Sequence, residues 1–347
     1  MKRYKEFNEI IKNKNILYIP IISCINRDTN EYNLSADGNV NRFITTFSEC
    51  HLFNKLTIAL PANHINGSEE LINKFVNDKI GIIYCPNFGI HAGEQRNNDE
   101  VVESIFNEIS NIDFDICIFE SQKLGLKMMS IYKDKEFIFW NPVSKTDKKT
   151  RIFLEGYDEI NAEIISKVQY MIVASPDQVE YYSSVEDKLI YLDKLISRML
   201  SFFNYTKNDE IINQYKDINK KIFYLPFRLS DEGYKFDKVL EYIKNETEDF
   251  IILYTDPNNS HIIDNLDINF KDKFIKVSSD RNTYYTILDY IPCTIPYFED
   301  LEFINHAAIH EFMSKYCISN IVLYNQTKNP YNVENCKRIN ILIDNND

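Results

Sequence analysis

The sequence predicts an α/β protein built from two doubly wound, parallel-sheet domains. Three observations carry this. The chain has 347 residues, and domains run to roughly 100–200 residues, so two fit. Short apolar runs alternate with helix-periodic segments along almost the whole length, the pattern of strands joined by crossover helices. A polar stretch interrupts the alternation near residues 187–221, after which it starts again.

In the first half, strands are expected at Ile16–Ile22, Lys55–Leu60, Ile80–Cys85, Phe114–Phe119, Phe137–Trp140 and Tyr170–Ala174. Their β-branched and aromatic runs are nearly unbroken, as in strands covered on both faces. Helices are expected at Val40–Phe53, Glu69–Val76, Asp99–Ile109 and Asp158–Lys167. The domain so outlined covers residues 1–190. The polar stretch, with its charged segment KNDEIINQYKDINKK, reads as a helical linker and hinge over 191–220. The second domain, 221–347, has strands at Ile222–Leu225, Phe250–Thr255, Phe274–Val277, Cys293–Ile295 and Asn320–Leu323. Its helices are Lys235–Lys244, Thr283–Leu288 and Phe303–Tyr316. Both halves are Rossmann-like. Open α/β sheets bind ligands beyond the carboxyl ends of their strands, so two such domains facing across a cleft can hold two reactants.

Hydrophobic residues make up 44% of the chain, enough to build cores and to exclude a disordered chain. The net charge of −13 opposes association with polyanions and anionic membranes. One segment runs against it. Between Ser121 and Arg151, eight cations (Lys123, Lys127, Lys133, Lys135, Lys145, Lys148, Lys149, Arg151) face three acidic residues. They are interleaved with Tyr132, Phe137, Phe139 and Trp140, a composition that suits either a solvated loop or a grip on a phosphate backbone. The seven cysteines contain no CxxC pair. With no signal peptide or apolar run near the ~20 residues of a membrane span, they point to a reducing, cytoplasmic setting. That setting is a bacterial cell or a phage-infected host.

The densest functional signal is Ile222–Phe236, IFYLPFRLSDEGYKF. A buried strand leads to Arg228, a turn with Gly233, and Lys235 at a helix start. Helix N-termini bind anions, and Arg228 with Lys235 adds two cations for a diphosphate. Asp256 follows the next strand. Tyr284 and Tyr285, in DRNTYYTIL, are placed either to flank a nucleobase or to pack in the core. Downstream lies IPYFEDLEFINHAAIHE, with Pro296, Glu299, Asp300, His306 and Glu311.

These segments resemble the donor domain of GT-B glycosyltransferases. In that family a strand is followed by an Arg and then a Lys ahead of a helix. Further on, a Pro and acidic residues precede a helix whose first turn faces the diphosphate. The resemblance implies that Arg228, Lys235, Asp256, Tyr284, Tyr285, Glu299, Asp300, His306 and Glu311 bind a nucleotide sugar, a UDP-sugar foremost. Arg42 would reach the donor phosphate from the first domain. A carboxylate suits ribose because it accepts from vicinal hydroxyls. The chain departs from the family where Asn305, His306 and Ala307 replace glycines, and where Glu302 and Glu311 stand one residue further apart than in retaining members.

The resemblance also implies no tightly bound cofactor and no metal. Asp113 and Asp115, the one Asp-x-Asp pair considered, fall at the start of a buried strand. His306 and His310 lack a third ligand for zinc. Inverting transfer requires a base for the acceptor hydroxyl, expected after a strand of the first domain. The candidates are Asp37 in the loop SADGN, His91 and Glu94 in PNFGIHAGEQR, and Glu120. Each has an ordinary alternative as a solvated loop residue. The basic–aromatic block adds double-stranded DNA as a partner, its hydroxymethylated bases serving as acceptor, as in phage DNA modification. A bacterial surface glycan, a nucleotide-sugar epimerase and a non-catalytic nucleotide-sugar binder share the architecture. If Arg228 grips the donor diphosphate, Arg228→Ala weakens UDP-sugar binding in calorimetric titration by roughly 1.5–3 kcal/mol, the value of a lost charged hydrogen bond. An unchanged affinity removes Arg228 from the site.

Overall fold

The computed structural model describes residues 1–20, 34–61, 69–85, 98–140, 157–173, 176–192, 205–226, 229, 236–256, 260–296, 321–324 and 338–341. The chain divides into two compact units, one holding Met1–Arg27 and Asn33–Phe203, the other Asp28–Tyr32 and Asn204–Asp347.

The first unit is organised around β1 (Asn15–Ile19). Beside it in one direction lie β2 (Lys55–Pro61) and β3 (Ile80–Cys85). In the other lie β4 (Ile116–Phe119), β5 (Glu136–Trp140), β6 (Tyr170–Val173) and β7 (Leu189–Tyr191). The order is β3-β2-β1-β4-β5-β6-β7 and every pairing is parallel. The chain therefore leaves β1 in one direction, returns, and leaves in the other. The crevice at the carboxyl ends of β1 and β4 is the topological switch point, where such sheets bind ligands.

Alternate side chains of each strand enter opposite cores. Ile16, Tyr18, Ile116, Ile118, Ile138 and Trp140 face one. Packed there are α1 (Tyr4–Ile10), α2 (Leu34–Glu49) and α3 (Glu69–Phe75) through Phe7, Val40, Phe43, Phe47 and Ile72. Leu17, Ile19, Cys117, Phe119, Phe137 and Phe139 face the other. There lie α4 (Asp99–Ile109), α5 (Gln122–Ile131) and α6 (Tyr157–Lys167). α4 buries Val102, Ile105 and Ile109, a spacing of three and four, and Asn98 caps it by accepting from the Glu100 amide at 2.8 Å. A short helix, α7 (Pro176–Tyr181), precedes β7.

Several expectations shift. Asp37 was expected in a loop, because Asp-Gly marks turns. The structure places it in α2, whose apolar positions Val40, Phe43, Ile44 and Phe47 outweigh the turn residues. The three residues of β7, enclosed by charged sequence, read as linker but form the seventh strand. α5 was hidden inside the basic block. Its glycine, Gly125, is required by a close approach: a Cβ there would overlap the ring of Phe119.

The second unit begins with α8 (Asp209–Tyr215), which falls in the expected linker. Its cap residue Asn208 accepts from Ile211 N at 3.2 Å, while its own amide donates to Thr286 Oγ1 at 2.9 Å. Thr286 belongs to α11 (Arg281–Tyr290). The sheet holds β8 (Lys221–Leu225), β9 (Phe250–Tyr254) and β10 (Phe274–Lys276), all parallel, in the order β10-β9-β8. α9 (Phe236–Lys244) buries Phe236, Val239, Leu240 and Ile243. α10 (Ile268–Lys271) leads into β10. The strand expected at Cys293–Ile295 contracts to one parallel bridge between Thr294 and Phe223, on the free side of β8. β11 (Ile321–Tyr324) and β12 (Arg338–Ile341) pair in parallel. Strand β8 is thus flanked like β1, by a strand on one side and a returning segment on the other. Among the described residues no helix is long and apolar enough to cross a membrane.

Gly125→Ala should lower stability by about 1–3 kcal/mol, the usual cost of overpacking, read from the urea midpoint. The Phe119 ring cannot give way, because it is buried and stacked on Phe139 at 5.3 Å. A variant as stable as the parent would show that α5 can lift from the sheet at little cost.

Candidate functional site

At the switch point of the first unit stands Glu120, the residue after β4. Its amide continues the ladder by donating to Ile19 O at 3.2 Å. Its parity matches Ile116 and Ile118, so its side chain joins the face that carries Tyr18. Tyr18 pairs with Ile118 in register, two residues short of Glu120, about 6.6 Å along a strand. A tyrosine ring spans that gap. Tyr18 Oη donates to Glu120 Oε1 at 2.6 Å. The ring itself is held by Phe43, Phe47 and Trp140, with centroids 6.0, 5.4 and 5.6 Å away. Glu120 is fully buried, where a carboxylate persists only with hydrogen-bond partners.

α5 starts two residues later. Ser121 occupies the N-cap position with extended backbone, φ −84° and ψ 121°. The first free amides of the helix, and the positive end of its dipole, therefore lie beside Glu120. The first helical residue, Gln122, is completely buried, and neither its Oε1 nor its Nε2 has a hydrogen-bond partner among the described residues. Sequence reading passed over both Tyr18 and Gln122. The signal for Gln122 was a polar residue opening an apolar helix, KLGLKMM.

The basic block separates into parts. Lys123 pairs with Asp99 at 3.0 Å. Lys127 pairs with Glu103 and lies 4.4 Å over Phe106. Lys135 pairs with Asp113 at 3.7 Å. Lys133 is exposed. Phe137, Phe139 and Trp140 are buried in β5, and Tyr132 donates to Ser110 O at 2.9 Å. The aromatic half of the expected nucleic-acid grip is therefore core, because period-2 alternation carries those rings into the two helix layers. Lys145, Lys148, Lys149 and Arg151 lie outside the described residues. Asp115 serves the fold, its Oδ2 accepting from Asn15 N at 2.8 Å. Among the described residues, no group of three or more His, Cys, Asp or Glu is placed to hold a metal ion.

In the second unit, Asp256 stands two residues beyond the end of β9 and is 6% exposed. Its Oδ2 accepts from Ser260 N at 2.9 Å. Its Oδ1 and the Ser260 hydroxyl are both buried without a partner among the described residues. Two oxygens are thus left at the carboxyl edge of the sheet. Tyr284 and Tyr285 are buried in α11 and packed against protein aromatics: Tyr284 on Tyr224 at 6.2 Å, Tyr285 on Tyr205 at 5.4 Å, and each on the other at 5.1 Å. Both make the core contacts that were the alternative to flanking a base. Asp280 caps that helix by accepting from Thr283 N at 2.9 Å. Burial acts to raise the Asp280 pKa, but hydrogen bonds from Ser278, Thr283 and Asn282 outweigh it and hold the group below the ordinary aspartate value.

No protein-family model matches the sequence, and no curated protein matches it. Solved structures do. The chain superposes on sucrose-phosphate synthase from Thermosynechococcus elongatus with a TM-score of 0.59 at 10% identity, over 90% of this chain and 81% of that one. Anabaena HepE, solved with UDP-glucose, gives 0.56 at 9% identity, over 90% and 80%. The fold is GT-B. A UDP-N-acetylglucosamine 2-epimerase also matches, with a TM-score of 0.53 at 8% identity, over 94% and 83%. Of the GT-B site residues expected from sequence, the structure describes Glu120, Asp256, Tyr284 and Tyr285 in full. Asp37 and Arg42 are described only as members of α2. His91, Glu94, Arg228, Lys235, Glu299, Asp300, His306 and Glu311 lie outside the described residues.

Replacing Tyr18 by Phe keeps the ring and removes the bond to Glu120. Urea unfolding at neutral pH should show a loss of about 1.5–3 kcal/mol, as for a hydrogen bond to a charged group. A change within a few tenths would mean that the carboxylate is held by its other contacts.

Proposed function

We propose that the protein transfers a glycosyl group from a UDP-sugar to a hydroxyl of an acceptor held by the first unit, with Glu120 as the base. The observation that carries this is the burial of Glu120 at the switch point, oriented by Tyr18 and beside the N-terminus of α5. In the reaction the acceptor oxygen forms a bond to the anomeric carbon. The bond from that carbon to the phosphate oxygen breaks, and UDP leaves with the electron pair. The hydroxyl proton passes to the Glu120 carboxylate. Tyr18 keeps the carboxylate in place before the transfer.

The donor belongs to the second unit, with Arg228 and Lys235 on the diphosphate, Asp256 at the edge of β9, and Glu299, Asp300, His306 and Glu311 around the phosphate and ribose. Tyr284 and Tyr285 support this edge through packing. A sugar-type hydroxyl is the preferred acceptor over a hydroxymethylated DNA base, since the rings that would stack on nucleic acid are buried and three of the lysines are paired. Epimerisation of the donor is the second reading, favoured by the likeness to the 2-epimerase.

Incubation with a panel of UDP-sugars separates these readings. The panel is run alone, with hydroxymethylated DNA, and with mono- and oligosaccharides. Transfer to a saccharide is the expected result. Labelled DNA would restore the nucleic-acid acceptor, and a rearranged sugar formed without acceptor would establish the epimerase. Absence of UDP-sugar binding would remove the proposal altogether. Under the expected result, Glu120→Gln lowers kcat by about 10²–10⁴-fold, the range for a lost general base, and leaves UDP affinity unchanged.

A further inference from the structure

The seven-stranded sheet of the first unit has two edges, and they are finished differently. Along β7 the chain's own strip at Lys2 is bonded in place. Along the outer side of β3 no strand of the described residues follows. Proteins blunt an open edge with lysine, proline, a bulge or a covering segment. β3, IGIIYC, has no charge and no proline. Tyr84 is 46% exposed, and Val76, beside the residue that bridges to Ile80, is 37% exposed.

The hydrogen bonds show which groups this edge offers. In a strand, the N–H and C=O of one residue point to one neighbour, and those of the next residue point to the other. Lys79 O accepts from Leu56 N of β2 at 2.8 Å, so Lys79, Gly81 and Ile83 turn their groups inward. Ile80 faces outward, and both its groups are taken. Its amide donates to Asn77 O at 3.0 Å, and its carbonyl accepts from Asn77 N at 3.1 Å. Ile82 and Tyr84 follow in the same outward direction. Among the described residues nothing bonds their N–H and C=O groups there. Nor does any described residue come within 4 Å of where a Cβ on Gly81 would stand.

We propose that β3 pairs antiparallel with β3 of a second copy of this chain, in a register centred on Ile83. A two-fold axis at such an edge runs perpendicular to the sheet and keeps each face on its own side. Opposed residues must then share a parity, so the centre falls on a residue. Centred on Ile82, the pairing would need Ile80, whose groups Asn77 already holds. Centred on Ile83, it sets Ile82 opposite the partner's Tyr84, and Tyr84 opposite the partner's Ile82. Each pair exchanges two bonds, which uses every free outer group of both residues. A second copy supplies those groups at the matching spacing, on an equally uncharged strand. Tyr84 then covers the partner's Ile82, an aromatic–β-branched pair. A ladder over residues 82–84 falls well short of the roughly 20–30 residues a side of a standard interface. The dimer is therefore reversible and forms with rising concentration. It does not rest on the glycosyl-transfer reading.

The test is sedimentation velocity of the full chain over a concentration series, where a monomer–dimer equilibrium is expected. Tyr84→Lys, at an exposed position, sets an ammonium against the partner's Ile82. It should weaken the dimer about tenfold or more and leave the thermal midpoint unchanged. Tyr84→Phe should keep the dimer. Cross-linking reads the register. The Cα atoms of a non-hydrogen-bonded antiparallel pair stand about 4.5 Å apart, within the roughly 4.4–6.8 Å of a disulfide. Ile83→Cys should therefore give a disulfide-linked dimer on mild oxidation, with the parent as baseline. Tyr84→Cys, displaced two residues from its counterpart, should not. Cross-linking decides alone if Tyr84→Lys lowers the thermal midpoint. A parent that stays monomeric throughout overturns the dimer and leaves the edge to a strand of another protein. A dimer that survives Tyr84→Lys, or linkage through Tyr84→Cys in place of Ile83→Cys, overturns the pairing as well.

Discussion

Strand β1 has a parallel partner on each edge and a helix layer on each face. Every side chain along it must be apolar or bring its own partner, and Asn15–Ile19 meets that demand with four buried residues in five. The carboxyl end of the strand is the one place beside it where polar chemistry can be set without opening the core. Tyr18 links the two conditions. Its ring belongs to the aromatic cluster of Phe43, Phe47 and Trp140, and its hydroxyl reaches beyond the strand to Glu120. The position of that carboxylate follows from the packing of the sheet interior. The second unit repeats the arrangement more loosely, with β8 between β9 and the bridge at Thr294.

Much of this frame was legible because buried parallel strands write themselves as unbroken apolar runs. Ile80–Cys85 and Asp99–Ile109 are observed where the periodicity puts them. The misses have local causes. β7 is three residues long and sits among charges, so no window detects it. α2 opens with Asp-Gly, a turn signal that loses to four buried apolar side chains further along. α5 was concealed because its lysines were counted as a charge cluster, when they are the outer face of an amphipathic helix paired with α4.

The site was legible to a smaller degree. Glu120 could be named because a carboxylate directly after an apolar strand is conspicuous. Tyr18 could not, since a tyrosine within a strand reads as core, and it is core apart from one oxygen. Gln122 escaped for the converse reason: glutamine is ordinary at a helix start, and only its burial without partners sets it apart. Tyr284 and Tyr285 show how adjacent aromatics mislead. Placed on a helix capped by Asp280, they point into the protein and hold Tyr224 and Tyr205.

The outer edge of β7 is closed by the start of the chain. Lys2 bridges to Ile190, its amide donating to Leu189 O and its carbonyl accepting from Tyr191 N, each at 2.9 Å. Residues 189–191 must therefore be synthesised before the strip around Lys2 finds its place. Loop closure over such a separation is slow. The centre of the sheet can assemble during synthesis, while its last edge waits for residues 189–191. Until then that edge is open to other chains, so the strip around Lys2 acts as a late-closing seal on the domain.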